Sequence, residues 1–215
     1  MSALLVKIVL AYLLGSLVGS LLIGRFRGVD IRRLGSGNAG GTNALRTQGK
    51  LFAAAVLLID IGKGWLATAV LARTSLPGAA AGAYGGAWLV AACGVAVMLG
   101  HVYPVWYGMR GGKGVATLIG AVLGAAPALL LPMLTVWLLA VVLSGYVGLG
   151  SMLGAVSFAF GAAVRPETRG PVLVFAVLAA ALIIYTHRSN IARMRAGAEP
   201  RARRLWMFGS RASSP

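Results

Sequence analysis

Long apolar runs, separated by short segments rich in arginine, lysine and glycine, constrain this chain more than any other feature of its sequence. The run from Ala3 to Gly24 is broken only by Lys7; Leu51 to Ala72 and about Ala87 to Tyr103 follow. A bilayer core of about 30 Å is crossed by about 20 residues of helix, so membrane-spanning helices are the fold this pattern predicts. From Val115 to Val147 stand 33 residues without a charge, about 50 Å as one helix. That is too long for one crossing, and Pro127 and Pro132 offer the break, so two helices joined near residues 130–132 are expected. Ser151 to Tyr185 is divided by Arg165-Pro-Glu-Thr-Arg-Gly-Pro171, giving a short sixth helix and a seventh that ends near His187. The first run lacks a clear Ala-x-Ala cleavage site before its Arg-rich end, which favours a retained helix over a signal peptide. The expected fold is an all-α integral membrane protein of about seven transmembrane helices, with five as the fallback. A single polytopic domain spans residues 1–198, and a basic tail follows over 199–215.

Composition narrows the function classes. Charged residues make up 11% of the 215 residues and hydrophobic ones 59%, whereas a soluble domain carries roughly 25% charged residues. Four acids stand against 20 Lys and Arg, a net charge of +16. A basic chain often binds nucleic acid, but here the cations sit in breaks between apolar runs, which suits an anionic bilayer face or an anionic substrate at it. No nucleic-acid partner is expected. Four acids, two His and Cys93 leave little for a metal site, so neither metal nor cofactor is expected. Cys93, in an apolar run, reads as an inert buried residue.

The positive charge also sets a direction. Residues 25–50, 106–113 and 187–215 carry six, two and seven Lys or Arg, against four at Lys7, Arg73, Arg165 and Arg169. By the positive-inside rule the N-terminus is outside and the C-terminus cytoplasmic. All the polar, glycine-rich sequence then falls on the cytoplasmic side, at 35–46, 108–114, the 148–151 turn and 187–199.

Three segments there are suited to chemistry. In Gly35-Ser-Gly-Asn-Ala-Gly-Gly-Thr-Asn-Ala-Leu-Arg46 four glycines let the backbone approach a ligand and aim N–H groups at it. Ser36, Asn38, Thr42 and Asn43 add neutral hydrogen-bonding groups, and Arg46 a fork suited to phosphate. A flexible polar loop is the plain alternative, against which the density of asparagine argues. Gly108-Met-Arg-Gly-Gly-Lys-Gly114 directly precedes a helix whose N-terminus favours an anion, with Lys113 as a point charge. It is not a nucleotide P-loop, because Tyr107 and Gly114 replace its first glycine and its Ser or Thr. Arg110 and Lys113 are equally explained as membrane anchors. In the third segment, His187 to Glu199, a helix continuing from the membrane puts Asn190 and Arg193 on the face of His187. His187 is either a solvated helix end or a group that bonds phosphate or moves a proton. Glu199 reads as an ion-pair partner.

Other features read as structural. Asp60 and Lys63 lie mid-span, where each alone costs roughly 2.5–3.5 kcal/mol; three apart, they neutralise one another, a reading favoured over a proton relay. Gly15/Gly19, Gly120/Gly124 and Gly150/Gly154 suit close helix packing. His101, Tyr103, Pro104, Trp106 and Tyr107 read as an interfacial belt.

Together the segments resemble the bacterial membrane acyltransferase family that acylates glycerol 3-phosphate from acyl phosphate. Ser36-Gly-Asn-x-Gly-x-Thr-Asn-x-x-Arg46 is similar to its first motif, Gly111-Gly-Lys-Gly-Val115 to its second and His187-x-x-Asn-Ile-x-Arg-x-x-x-Gly-x-Glu199 to its third. Asp60-x-x-Lys-Gly64 and Gly100-His101 fit as well. Members usually have Arg-Tyr-x-Ser-x-x-Ser where this chain has Gly145-Tyr-Val-Gly-Leu-Gly-Ser151, so only Tyr146 and Ser151 remain and a phosphate contact from that turn rests on Ser151. The resemblance implies seven spans, a cytoplasmic site and transfer of a long acyl chain to the 1-hydroxyl of glycerol 3-phosphate. Lysophosphatidate and inorganic phosphate would leave. It implies catalytic roles for Ser36, Arg46, Lys113, His187 and Asn190. Phosphate binding falls to Asn38, Gly40, Thr42, Asn43, Gly111, Gly112, Gly114, Ser151 and Arg193, with Asp60, Lys63 and Glu199 structural. The partners are glycerol 3-phosphate, a long-chain acyl phosphate and membrane lipid, and a monomer suffices.

No His-x-x-x-x-Asp dyad of the soluble acyltransferases is present, since Trp106 and Ala192 stand five residues past the two histidines. Without a carboxylate base, proximity and charge stabilisation are expected to dominate. An organic-phosphate transporter is the alternative, but it should place polar groups near mid-membrane from both halves.

Overall fold

The computed structural model describes residues 3–74, 86–202 and 205–208, and every regular element among them is helical. Four helical stretches are long and apolar enough to cross a membrane: Lys50–Leu71, Gly86–Tyr107, Pro127–Ser144 and Val147–Val164. Two bent pairs, Ala3–Gly15 with Gly19–Phe26 and Pro171–Thr186 with Arg188–Arg195, bring the count to six. The remaining apolar helix, Val115–Ala125, has only 11 residues, about 16 Å of rise. In chain order we label Ala3–Gly15 α1, Gly19–Phe26 α2, Gly41–Gln48 α3, Lys50–Trp65 α4, Gly86–Val102 α5 and Val115–Ala125 α6. Leu130–Ser144 is α7, Val147–Val164 α8, Pro171–Thr186 α9 and Arg188–Arg195 α10. Wider π-type turns prolong α4 through Leu71. The basic tail is described only in part: residues 203–204 and 209–215 lie outside the described residues, and with them the end of the tail considered above.

The first run differs from the single helix expected. It breaks after Gly15 and bends by 52°, because two charged side chains of α4 serve the break. The Lys63 ammonium donates to the carbonyls of Gly15 and Leu17, both at 2.9 Å. The Gly19 N–H donates to Asp60 Oδ1 at 3.1 Å. A cation thus meets the carbonyl end of α1 and an anion the N–H end of α2, the placement that helix dipoles favour.

The break in the 115–147 run also moves. Ala126 leaves helical geometry and Pro127–Leu129 form a single 3₁₀ turn, so α7 begins at Leu130 rather than after residues 130–132. Pro132 falls in the first turn of α7, where its missing N–H has no intrahelical partner to lose. The sixth helix starts earlier than expected, at Val147, so Gly148 to Ser151 form its first turn instead of a loop.

Small residues set the closest helix contacts. A Cβ at Gly15 would overlap the Val97 carbonyl, and one at Gly120 the Ile61 carbonyl, so α1 lies on α5 and α6 on α4 nearly backbone to backbone. The shared core is apolar and includes Phe158 edge-on to Phe175, centroids 5.6 Å apart.

Candidate active site

The contacts between α4, α5 and α6 decide where the second loop sits. Gly64 of α4 packs on Thr117 of α6, and Gly124 on Thr68 and Ala69, so α6 runs beside the later half of α4 and begins near its middle. The loop before it therefore dips into the helix bundle, which is why α6 is short. Gly111 and Gly112 donate their N–H groups to the carbonyls of Val102 and His101, at 3.0 and 3.1 Å. A Cβ on Gly112 would strike the His101 ring and approach the Ala39 carbonyl to 3.1 Å. Gly114, at φ +90°, turns the chain into α6, a backbone that other residues adopt only with strain.

His101 is accordingly no part of an interfacial belt. It is 2% exposed, with Nδ1 2.8 Å from Lys63 Nζ and 3.4 Å from Asp60 Oδ1. Lys63 lies 2.9 Å from the same carboxylate oxygen. The three side chains form one buried cluster beneath the second loop. Sequence reasoning treated His101 separately because α4 and α5 meet only in the tertiary structure.

Above this cluster, the second and third motifs converge. Lys113 donates to the Asn190 side-chain oxygen. The Asn190 amide donates to Glu199 Oε1 at 2.6 Å, and Arg193 Nε to Glu199 Oε2 at 2.7 Å. Thr186, absent from the sequence-based set, ties α9 to the loop by donating to the Lys113 carbonyl at 3.1 Å. One carboxylate faces Lys113, Arg188 and Arg193, so the cluster keeps excess positive charge. Burial together with Arg193 and Arg188 brings Lys113 down to about 8, although Glu199 opposes the shift. The lysine is still mostly charged at neutral pH.

His187 ends the last span, at the bend into the charged α10. Its Nδ1 lies 2.7 Å from the Ile183 carbonyl. Burial, then Lys113, press its pKa down to about 4, so the ring is neutral at pH 7. A carbonyl only accepts, so the ring proton sits on Nδ1 and Nε2 keeps a lone pair. Because the chain bends at His187, Asn190 and Arg193 share Glu199 while His187 bonds back to α9.

The first motif packs beside the second loop, Ala39 against Gly112. Asn43, in α3, donates to the carbonyls of Ile31, Leu34 and Asn38 at 2.9–3.2 Å and accepts from the Ser36 N–H at 3.0 Å. These bonds wind residues 31–38 about a buried amide, and Asn43 acts here as the organiser of the loop. Ser20 donates to the Ala39 carbonyl at 2.9 Å and pins the loop to α2. Ser36, Thr42 and Arg46 are exposed, Asn38 and Gly40 half-buried. Arg32 adds a tie that the motif reading missed. Doubly paired with Asp30, its guanidinium also donates to the carbonyls of Tyr107 and Arg110 at 2.9 and 3.0 Å, joining the first loop to the second. Asp30-x-Arg32 was the available signal. Ser151 is buried in α8 and donates to the Val147 carbonyl at 2.9 Å, a bond within its own helix.

Cations at Lys113, Arg188 and Arg193 beside glycine-rich loops, with no carboxylate beyond Glu199 described in the cluster, suit binding of phosphate anions. Comparison with known proteins points the same way. A family profile described as glycerol-3-phosphate acyltransferase matches residues 5–197. Proteins named glycerol-3-phosphate acyltransferase from Desulforamulus reducens and Bordetella pertussis are 43% and 41% identical to the chain over 190 and 199 residues. They cover 88% and 90% of it, and it covers 90% and 89% of them. Two crystal structures of PlsY (YgiH), an integral membrane glycerol 3-phosphate acyltransferase, are similar at 35% identity and 93% coverage of this chain. The glycerol 3-phosphate form has a TM-score of 0.81 over 96% of its chain, and the lysophosphatidic acid form 0.77 over 95%.

Proposed function

This chain belongs to the glycerol-3-phosphate acyltransferase family and is a membrane-embedded enzyme of that kind, and we propose that its acyl donor is a long-chain acyl phosphate. The hydroxyl oxygen at C1 of glycerol 3-phosphate bonds to the acyl carbonyl carbon while the bond from that carbon to the phosphate oxygen breaks. The products are lysophosphatidate and inorganic phosphate, the first step of bacterial phospholipid synthesis. The relatives' forms with glycerol 3-phosphate and lysophosphatidic acid support these as substrate and product here.

The observation that carries the reading is the convergence of Lys113, Asn190, Arg193 and Glu199 opposite the glycine-rich first loop. Two phosphate-bearing substrates need cationic donors held close together, and proximity with charge stabilisation supplies most of the rate. Lys113, Asn190 and Arg193 hold phosphate oxygens on one wall. Ser36 and Arg46 do so on the other, with the backbone at Asn38, Gly40, Thr42, Gly111, Gly112 and Gly114 lining the cradle. Asn43 contributes through the loop it winds. The hydroxyl proton leaves with the departing phosphate, so a neutral His187 positions rather than titrates. Ser151, bonded within its helix, supports the turn. No metal or other cofactor takes part, and a monomer suffices.

The excess of Lys and Arg beside this site, fifteen against four, supports a cytoplasmic location for it. With α6 as a short seventh crossing, the N-terminus is then outside the inner membrane. Residues 1–198 act as one membrane domain and 199–215 as its tail. The test is phosphate release by the purified, detergent-solubilised protein given palmitoyl phosphate and glycerol 3-phosphate without metal, with acyl-CoA and acyl carrier protein as parallel donors. Phosphate matched by lysophosphatidate with acyl phosphate alone is expected. Product from acyl-CoA instead would overturn the donor.

A further inference from the structure

The tail beyond Glu199 returns to the site. Ala202 donates its N–H to the Gly145 carbonyl at 2.7 Å, and Met207 to the Val142 carbonyl at 2.9 Å. Between them Leu205 and Trp206 close a turn on the Ala202 carbonyl at 2.9 and 3.0 Å. The Arg201 guanidinium lies over the Trp206 ring at 4.1 Å and over the Tyr146 ring at 4.8 Å. Backbone bonds and stacked rings therefore fasten residues 201–202 and 205–207 to the junction of α7 and α8.

Two glycines make this fit. Gly145, at φ +78°, leaves open a space into which a Cβ would bring 3.0 Å contacts with Arg201 Cβ and Trp206 Cγ. Gly148 lies against Asn190, whose side-chain atoms a Cβ would meet at 3.0–3.1 Å. Asn190 is bounded by Gly148 on one side and by Glu199 on another. The segment runs from the Glu199 wall to the Gly148 wall and ties them together.

We propose that residues 201–202 and 205–207 form a clasp that fixes the aim of Asn190 at substrate phosphate, with Arg201 as its positioning residue. The inference rests on the reading that Asn190 holds a phosphate oxygen. Arg201 acts through the two walls and not by touching substrate. A cation held between two aromatic faces draws on electrostatic attraction to both rings, so Arg201 and Trp206 work as one unit.

The experiment compares the wild-type chain with Arg201→Ala, Trp206→Ala, the double variant and Asn190→Ala. KM for glycerol 3-phosphate and for palmitoyl phosphate is measured separately, alongside melting temperature in detergent. Each clasp variant is expected to raise KM about fivefold to tenfold for one substrate only, the same one whose KM rises in Asn190→Ala. The double variant should be no worse than either single one, as for coupled residues. Trp206→Phe, which keeps a stacking face, should recover most of the loss and serves if an alanine variant does not fold. Unchanged KM values, equal rises for both substrates, multiplying single effects or no recovery by Trp206→Phe would each overturn the clasp. An inactive wild-type chain would overturn the functional reading and the clasp with it, whereas an active one with normal variants would overturn the clasp alone.

Discussion

Two lysines of this molecule have opposite surroundings. Lys63, 3% exposed, is ringed by Asp60, His101 and the carbonyls of Gly15 and Leu17 at 2.8–2.9 Å. Lys113 has one side-chain partner among the described residues, Asn190, with further cations nearby. An ammonium has three protons to donate. Those of Lys63 are all taken up by buried partners, two of them carbonyls of a broken helix, while Lys113 has fewer partners and, on the proposed reading, keeps donors for a ligand. In a chain with 20 Lys and Arg, partner number and sign of neighbouring charge separate a structural cation from one that binds anions.

The comparison breaks most visibly at Lys63. Lys63→Met strands the Asp60 carboxylate and should lower stability by about 3–5 kcal/mol, read as melting temperature or loss of folded protein in detergent. The double variant Asp60→Asn/Lys63→Met removes both charges and should be less damaging than the single one. Equal damage would show that the helix break needs the cation itself rather than neutrality.

Lys113→Ala should leave melting temperature nearly unchanged and lower kcat/KM by about 10²- to 10³-fold, the scale for removing one donor of a charge-stabilising site. If Lys113→Ala and Arg46→Ala both turn over normally, the anion site has been placed wrongly. The pH profile sharpens the point. The charged form of Lys113, to which phosphate binding is assigned in the proposal, predominates below about 8, so kcat/KM should decline as pH rises through about 8, approaching tenfold per unit. Lys113→Arg, charged at every accessible pH, should lose that decline even if its rate is lower.

The smallest effect is expected at His187. Its Nδ1 is held toward the Ile183 carbonyl, and with the hydroxyl proton assigned to the departing phosphate as proposed above, His187→Gln should keep turnover within about threefold, below the 10²-fold or more of a general base. A collapse of kcat at unchanged substrate affinity would assign the base to Nε2.

The spans and motifs were legible in the sequence for physical reasons. Crossing a bilayer takes a long apolar helix, so Leu51–Ala72 and Ala87–Tyr103 announce themselves within a few residues of their observed ends. Glycine clusters beside Lys113 and Arg46 mark breaks between the apolar runs, where the proposed anion-binding loops fall. The break of the first run was not legible. Nothing between Ala3 and Gly24 marks Ser16 as its end, since the cause lies in side chains more than 40 residues away. His101 was misread for the same reason, as was the role of Asn43, whose four backbone partners depend on how the loop closes.

By itself, then, the sequence determined that this chain is a helical membrane protein and which segments form most of its helices. Each of those follows from local composition and spacing. Tertiary structure alone decided which lysine is enclosed and which is open, how deep the second loop lies and that the tail returns to Gly145. These depend on the approach of distant helices, where one glycine or one buried charge decides what touches what.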